Sequence, residues 1–341
     1  MDFTIAPQII SKIKKLISEN QSFTITTHHN SDGDAMGSST AFAEVLRQMG
    51  KTVNIVLPND FPAFFRWMNG AKEVINYERK PKESQAIFDA TDVIICLDFN
   101  QLSRIDNLEQ VVERSPKPRI VVDHHLGLKI EAEAIVSFPD SSSTCELVYH
   151  LLQACGYEKY INKNVAESLY TGIITDTGRL DYASSYSEVY TVVGALVEKG
   201  IRKNFIHDNI YNVYTYNRMR LQAAVLHENM NFLPEFHTAY ITINQKNKKQ
   251  YDFQLGDSEG FVNIPMVIKD VKFCALFTEY DNGTVKISLR SKGKFPANKF
   301  AEDYFAGGGH FNAAGGKFTG TLADAVQTFV NGVHEYKDLL E

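Results

Sequence analysis

The stretch Arg119-Ile120-Val121-Val122-Asp123-His124-His125 changes abruptly from apolar residues to one carboxylate and two imidazoles. Its first part is typical of a buried β-strand. Polar groups that emerge together at the end of a buried strand need partners, and a divalent cation would supply one. The stretch therefore predicts a strand that ends at a metal site on the rim of a sheet.

The same change from apolar to acidic or imidazole residues occurs in three other places. Phe23-Thr24-Ile25 is followed by Thr26-Thr27-His28-His29-Asn30-Ser31-Asp32-Gly33-Asp34, Val93–Leu97 by Asp98, and Gly172-Ile173-Ile174 by Asp176. Each acid alone could be a turn residue or a helix cap. In open α/β sheets, however, ligands bind beyond the carboxyl ends of the strands. The four places together predict one carboxylate-rich site.

Carboxylates gathered in one pocket repel each other unless a cation is present. Oxygen ligands with one or two imidazoles suit manganese, magnesium or iron better than a structural zinc site, which prefers thiolates. The residue types therefore predict a hydrolytic site with two metal ions.

The chain has 341 residues, which suits two domains. Residues 1–200 alternate between strand and helix patterns, which predicts an α/β domain with a largely parallel sheet flanked by helices. The expected strands are 22–27, 53–57, 92–98, 119–123 and 133–138, and the expected helices are 5–19, 36–49, 143–155, 162–175 and 187–199.

Residues 201–232 are expected to form linking helices, and 233–341 a smaller α+β domain, with an active cleft between the two domains. Strands are expected at 237–243, 273–277 and 285–289, with a hairpin turn at Asp281-Asn282-Gly283. A glycine-rich loop is predicted at 307–309 and a last helix at 322–340.

Composition restricts the classes of function. The net charge of -6 argues against a basic face for long nucleic acid. The four cysteines form no CxxC pair, which indicates a reducing, cytoplasmic location. No apolar run approaches about 18 residues, so we expect no membrane span. The sequence leaves the oligomeric state open, a homodimer included.

The set His28-x-Asn30-x-Asp32-x-Asp34, Asp98, Asp123-His124-His125 and Asp176 resembles the four motifs of the DHH phosphoesterase superfamily. Arg290-Ser291, Gly307-Gly308-Gly309-His310 and Ala313-Ala314-Gly315 resemble its DHH-associated C-terminal domain. The length and layout are most similar to the bacterial nanoRNase and pAp phosphatase group.

The resemblance implies two Mn²⁺ ions, with Mg²⁺ or another divalent ion as alternatives. One ion would be held by His28, Asp32 and Asp98, and the other by Asp34, Asp98, His124 and Asp176. The catalytic residues would be Asp98, Asp123 and His125. Asp123 would orient the neighbouring imidazoles, and His125 would contact the phosphate or assist the leaving group.

The resemblance also implies the substrates. They are short oligoribonucleotides, cleaved to nucleoside 5'-monophosphates, and nucleoside phosphates such as 3'-phosphoadenosine 5'-phosphate (pAp). The phosphate would be bound by Arg290, Ser291, Gly308, Gly309 and His310, with Arg104 as a further cation. The glycines alone could equally form a plain loop, and Arg104 could be a surface charge. Arg179-Leu180 departs from the family pattern and leaves substrate preference open.

Other activities fit the same residues. A cyclic-dinucleotide phosphodiesterase and an exopolyphosphatase are alternatives within the superfamily. A non-catalytic nucleotide sensor is the alternative from another class, and metal-dependent phosphate release separates it from an enzyme.

Overall fold

We describe a computed structural model of the protein, which covers residues 3–254, 256–280 and 283–340. The chain divides into two compact units, Met1–Val213 and Tyr214–Glu341. We call them unit 1 and unit 2 and describe each by itself.

Unit 1 contains a six-stranded sheet in the order β3-β2-β1-β4-β5-β6, and every pair of neighbours is parallel. The strands are β1 (Ser22–Thr26), β2 (Thr52–Leu57), β3 (Ile75–Asn76), β4 (Val93–Leu97), β5 (Arg119–Asp123) and β6 (Ala134–Ser137). All five residues of β4 are buried, as expected of a parallel strand covered on both faces. The predicted α/β domain with a parallel sheet is confirmed.

Eight helices accompany this sheet within the described part of unit 1. They are α1 (Pro7–Glu19), α2 (Gly33–Gln48), α3 (Pro81–Ala90), α4 (Glu109–Arg114), α5 (Thr144–Ala154), α6 (Lys163–Asp176), α7 (Ser187–Glu198) and α8 (Lys203–Tyr211). The helix predicted from residue 36 begins earlier, at Gly33, because the Asp32 carboxylate accepts from the amides of Asp34 and Ala35 and caps it. The helices α3 and α4 were not predicted.

The connection between β2 and β3 carries Trp67. Its indole packs edge-on against the ring of Phe205 in α8, with the ring centroids 5.3 Å apart. Phe65 and Met68 on either side are buried in the core of unit 1. The connection is therefore part of the unit's packed structure.

The segment expected to link the domains is helical, but its helices belong to different units. Ile206 and Ile210 of α8 lie in the core of unit 1. Leu221 and Val225 of the next helix, α9 (Tyr216–Glu228), lie in a core of unit 2. Hydrophobic spacing identified the helices but not the unit on which each packs.

Unit 2 contains a mixed sheet in the order β11-β12-β10-β9-β8-β7. Its strands are β7 (Met230–Leu233), β8 (Thr238–Ile243), β9 (Phe273–Glu279), β10 (Thr284–Ser291), β11 (Gly308–His310) and β12 (Ala313–Thr319). Its further helices are α10 (Gln245–Gln250), α11 (Ala297–Phe305) and α12 (Leu322–Glu335). Only β8 and β9 pair in parallel among these described strands. A second, smaller α+β unit is confirmed.

The glycine-rich stretch of unit 2 differs from its prediction. The stretch predicted as a glycine-rich loop is in part an edge strand, because Gly308, Gly309 and His310 pair with β12. Asp281 and Asn282 of the predicted hairpin turn lie outside the described residues. We find no helix in the described ranges with the length and apolar character that a membrane crossing requires.

Candidate metal centre

The strand order of unit 1 produces a crevice at one place in the sheet. The chain forms β1 in the interior, continues to one side with β2 and β3, and returns to the other side with β4. At such a reversal the connections leave on opposite faces and open a space beyond the carboxyl ends of the strands. His28 and Asp98 follow β1 and β4, and Asp123 ends β5. The topology therefore explains why these distant segments meet.

The first group of side chains consists of His28, Asp32 and Asp98, whose ligand atoms lie within 4.8 Å of one another. His28 Nε2 lies 3.4 Å from Asp98 Oδ2 and 3.8 Å from Asp32 Oδ1. His28 Nδ1 lies 3.0 Å from the carbonyl oxygen of His29, which can only accept a hydrogen bond. Nδ1 therefore carries a proton, and Nε2 is the atom that would bind a metal.

The second group consists of Asp34, His124 and Asp176, again within 4.8 Å. His124 Nε2 lies 3.1 Å from Asp176 Oδ2 and 3.8 Å from Asp34 Oδ2. His124 Nδ1 lies 3.2 Å from the carbonyl oxygen of Ser141. This contact selects Nε2 as the ligand atom in the second imidazole as well.

Asp98 lies between the two groups. Its Oδ2 faces His28, whereas its Oδ1 lies 3.6 Å from His124 Nε2. The residue has a left-handed backbone, with φ 66°. A non-glycine residue reaches this conformation only at an energetic cost, and such strain concentrates at functional sites.

Asp123 and His125 form a close pair beside Asp98. His125 Nδ1 donates to Asp123 Oδ1 over 2.7 Å, and both residues are buried. Asp123 thus orients the imidazole of His125, whereas the carbonyl of Ser141 orients that of His124. The expectation that Asp123 orients both imidazoles through its own hydrogen bonds needs this correction.

The pKa shifts and the summed charge of these residues show whether they suit divalent cations. Burial raises the pKa of Asp34 well above its usual value, and repulsion from Asp98 and Asp176 adds to the shift. Burial also raises the pKa of Asp176. Asp32, Asp34, Asp98 and Asp176 carry four negative charges when ionised, equal to the charge of two divalent ions. The donor set therefore fits divalent cations.

The same negative charge shifts the pKa of two further residues of the centre. Burial alone would lower the pKa of His28, but its contacts with Asp32 and Asp98 outweigh that effect and raise the pKa to about 10. Burial raises the pKa of Asp123 to about 7, and Asp98 adds to this shift. The buried negative charge therefore raises the pKa of a histidine and of an aspartate at the same site.

Arg104 lies on the 3-10 helix Leu102–Leu108, which follows β4. Its positive charge offsets part of the rise in the pKa of Asp123 that burial and Asp98 cause. It also helps His28 and the amide of Ala35 to lower the pKa of Asp32 against the effect of burial. Arg104 is thus electrostatically coupled to the centre, and its contact with substrate stays a prediction.

The other residues predicted to bind substrate lie in unit 2. Arg290 and Ser291 end β10, and the Ser291 hydroxyl donates to the carbonyl of Phe295. A Cβ at Gly309, where φ is 141°, would meet the carbonyl oxygen of Ala313 at 2.6 Å, so packing explains this glycine. A Cβ at Gly308 would meet nothing within 4 Å. Packing against the described residues therefore does not explain this glycine, and a role of Gly308 in binding substrate stays a prediction.

The sequence did not single out Ser141, Thr144 or Glu146, which support the ligands. They belong to the run Asp140-Ser141-Ser142-Ser143-Thr144-Cys145-Glu146, which has the pattern of a helix N-cap. Ser143 is indeed the cap of α5 and accepts from the amide of Glu146. The run of four consecutive hydroxyl residues at the start of a buried helix could have identified these supporting residues from the sequence.

Two family models match most of the chain. The model of the DHH family N-terminal domain matches residues 22–173, and that of the DHHA1 domain matches residues 236–337. A crystal structure of an exopolyphosphatase-related protein from Bacteroides fragilis superposes on this chain with a TM-score of 0.95. The two sequences are 41% identical, and the match covers 100% of this chain and 99% of the Bacteroides fragilis chain. The chain belongs to the DHH family. As a member of it, the protein is a metal-dependent phosphoesterase.

Two further proteins are similar to this DHH-family chain over most of its length. A Thermus thermophilus protein, described as the bifunctional oligoribonuclease and PAP phosphatase NrnA, is 27% identical over 314 residues, which is 91% of this chain and 89% of that protein. The structure of the exonuclease RecJ bound to manganese is 15% identical with a TM-score of 0.52, and it covers 99% of this chain and 96% of that one. The second likeness concerns the fold alone.

Proposed function

We propose that this phosphoesterase is manganese-dependent and hydrolyses short oligoribonucleotides to nucleoside 5'-monophosphates, pAp to AMP, or both. The observation that carries the proposal is the position of Asp98. Its two carboxylate oxygens face different groups of ligands, with His28 on one side and His124 on the other. A carboxylate in this position would be a ligand of both ions in a two-metal hydrolytic centre.

The proposed roles follow from these contacts. His28, Asp32 and Asp98 would hold one ion, and Asp34, Asp98, His124 and Asp176 the other. When bound, the ions would acidify a water molecule and neutralise charge that develops on the phosphoryl oxygens. Asp123 would hold the ring of His125, which would move a proton to the leaving oxygen.

The substrate assignment is supported by the description of the Thermus thermophilus relative, which names both activities. In unit 2, we propose that Arg290 and the backbone at Gly308 bind a phosphate of the substrate. The open position that a Cβ would occupy at Gly308 supports this role. The proposal keeps the cytoplasmic location expected from the cysteine usage.

Exopolyphosphatase activity is the second candidate. It is favoured by the 41% identity to the Bacteroides fragilis protein described as exopolyphosphatase-related. Nucleotide substrates and polyphosphate need different binding sites, because polyphosphate has no base or ribose. Activity on one and not the other therefore separates the candidates.

The test is a turnover assay with Mn²⁺ on pApA, pAp, linear and cyclic di-AMP, and polyphosphate. We expect hydrolysis of pApA or pAp, and loss of it after chelation. Asp98→Asn should lower kcat on the order of 10³-fold, equivalent to about 4 kcal/mol of barrier, because the shared ligand loses its charge.

Asp89→Asn is the matched control, since it removes one carboxylate from the exposed face of α3. It should leave turnover unchanged, and circular dichroism should show that both variants are folded. Near wild-type turnover of Asp98→Asn with Mn²⁺ would contradict the two-metal assignment. Turnover of polyphosphate alone would favour the second candidate.

A further inference from the structure

The residues at the start of α5 contact three of the candidate ligands. The amides of Thr144 and Cys145 donate to the Asp34 carboxylate over 2.6 and 2.8 Å. The Thr144 hydroxyl donates to Asp98 Oδ1 over 2.9 Å. The Ser141 carbonyl faces His124 Nδ1. These three ligands belong to α2 and to the ends of β4 and β5, so one short segment supports ligands from three elements.

The geometry of α5 explains the contacts with Asp34. The first amides of a helix have no carbonyl partner within it, and they lie at the positive end of its dipole. Thr144 and Cys145 are the first two residues of α5, after the cap Ser143. Their amides therefore bind a carboxylate that is fully buried. Both oxygens of Asp34 receive a hydrogen bond, which fixes the plane of the carboxylate.

The Thr144 side chain fixes the carboxylate of Asp98 through a hydrogen bond. Thr144 is completely buried, and its hydroxyl must be the donor because an ionised carboxylate only accepts. The bond reaches Oδ1, the oxygen that faces His124. It therefore sets the rotation of the carboxylate, and this rotation decides whether the two oxygens face different groups.

Glu146 holds the segment in place. It is completely buried, and its Oε2 accepts from the hydroxyls of Ser141 and Ser142 and from the Ser142 amide over 2.7–3.0 Å. The Tyr186 hydroxyl donates to the same oxygen over 2.5 Å. Tyr186 precedes α7 and ends the loop that follows Asp176. The start of α5 is thus fixed by hydrogen bonds to Glu146 and Tyr186, which are not among the candidate ligands.

We propose that Thr144 is a positioning residue, whose hydroxyl orients Asp98 so that this carboxylate can serve both groups of ligands. The proposal rests on the proposed function, since it assigns a role towards the same pair of ions. Ser141 and the amides of α5 complete the support for His124 and Asp34.

The test compares Thr144→Val, which removes the hydroxyl at nearly constant volume, with Thr144→Ser, which keeps it. Mn²⁺ binding is measured by calorimetry on protein freed of metal, together with kcat and Tm. We expect Thr144→Val to weaken Mn²⁺ binding roughly 10- to 100-fold, the usual effect of losing a partner of a metal ligand. Thr144→Ser should restore binding to within about threefold of the wild type.

Thr91→Val is the matched control, because the Thr91 hydroxyl is equally buried and, among the described residues, is bonded to the carbonyls of Ser22 and Val93 instead of a candidate ligand. It should leave Mn²⁺ affinity unchanged. If Thr144→Val does not fold, Thr144→Ala takes its place, since it removes the hydroxyl without adding a methyl group beside Asp98.

The outcomes separate this proposal from the one on which it rests. Wild-type protein that binds no divalent ion overturns both. Wild-type protein that binds Mn²⁺ and hydrolyses pApA, together with a folded Thr144→Val of unchanged Mn²⁺ affinity, overturns only the role of Thr144. Loss of affinity in Thr144→Ser as severe as in Thr144→Val also overturns it, because the hydroxyl would then be irrelevant.

Discussion

At the scale of single residues, the centre depends on contacts that residue type alone does not reveal. The aspartates and histidines were candidates from the sequence because few other roles explain several such groups that follow apolar segments. Ser141 and Thr144 were not found, because a serine or threonine near the start of a helix is ordinarily explained by capping. One residue can be both a helix cap and a candidate metal ligand. Asp32 caps α2 and also faces His28.

Asp123→Asn tests whether Asp123 orients His125 or binds metal. Asp98, Asp123 and His125 also lie within 4.8 Å of one another, so the geometry permits either role. We expect kcat to fall roughly 10- to 100-fold with Mn²⁺ affinity retained, because only the orientation of His125 is disturbed. Calorimetry and turnover together check this, and a large loss of Mn²⁺ affinity would make Asp123 a ligand instead.

The ion pair of Glu167 and Arg202 provides a pH test remote from the centre. Arg202 Nε and Nη2 donate to the two carboxylate oxygens over 2.8 and 2.6 Å. Burial alone would raise the pKa of Glu167, but the hydrogen bonds from Arg202 outweigh it and keep the pKa below its usual value. The pair therefore stabilises the fold above the ordinary pKa of glutamate, and this contribution is lost as the pH falls through the lower pKa of the folded state.

We therefore expect Glu167→Gln to lower the free energy of unfolding at pH 7 by about 1–2 kcal/mol, a modest value because the Arg202 side chain is half exposed. The difference from the wild type should shrink as the pH falls below about 4.5. Urea unfolding of the metal-free proteins between pH 7 and pH 3 measures it. A difference that grows in acid would contradict the assigned sign.

At the scale of elements, the packing of α2 on α6 controls the position of a ligand. A Cβ at Gly172 of α6 would lie 2.2 Å from Cys145 Sγ and 2.7 Å from Asp34 Oδ1. A Cβ at Gly37 of α2 would lie 2.5 Å from the carbonyl oxygen of Ser168. The two glycines therefore allow a close approach of the helices that places Asp34 beside α6.

We expect Gly172→Ala to lower the free energy of unfolding by about 1–3 kcal/mol through overpacking and to weaken Mn²⁺ binding by moving Asp34. The control is Gly194→Ala in α7, where a Cβ meets nothing within 4 Å. That change should stabilise the protein by up to about 1 kcal/mol, because alanine favours a helix over glycine. Equal effects of the two substitutions in urea unfolding would refute the packing argument.

Elements were predictable from the sequence where burial dominates their pattern. The strands β1, β4 and β5 are short and almost wholly buried, and each was predicted to within one or two residues of its ends. The helix α3 was missed because, in a largely polar stretch, it buries only Ser84 and Phe88. The edge strand β11 was missed because glycine has little preference for strands, and its pairing with β12 is a tertiary effect.

At the scale of the whole molecule, the proposed division of labour between units can be tested by thermal stability. Binding of Mn²⁺ to the native protein at a hundredfold excess over Kd contributes about 2.7 kcal/mol, which raises Tm by roughly 5–10 °C for a unit of this size. We expect Asp98→Asn to lose most of this shift and Arg290→Ala to keep it, because Arg290 lies in unit 2. Loss of the shift in Arg290→Ala would contradict the assignment of the metals to unit 1.

The single tryptophan of the chain, Trp67, lies in unit 1 against Phe205. Light absorbed selectively by indole therefore reports on unit 1, whereas circular dichroism sums both units. Unfolding followed by fluorescence and by dichroism in parallel would assign each transition to its unit without an introduced dye. The wild-type chain thus already carries an optical label on the unit for which metal binding is proposed.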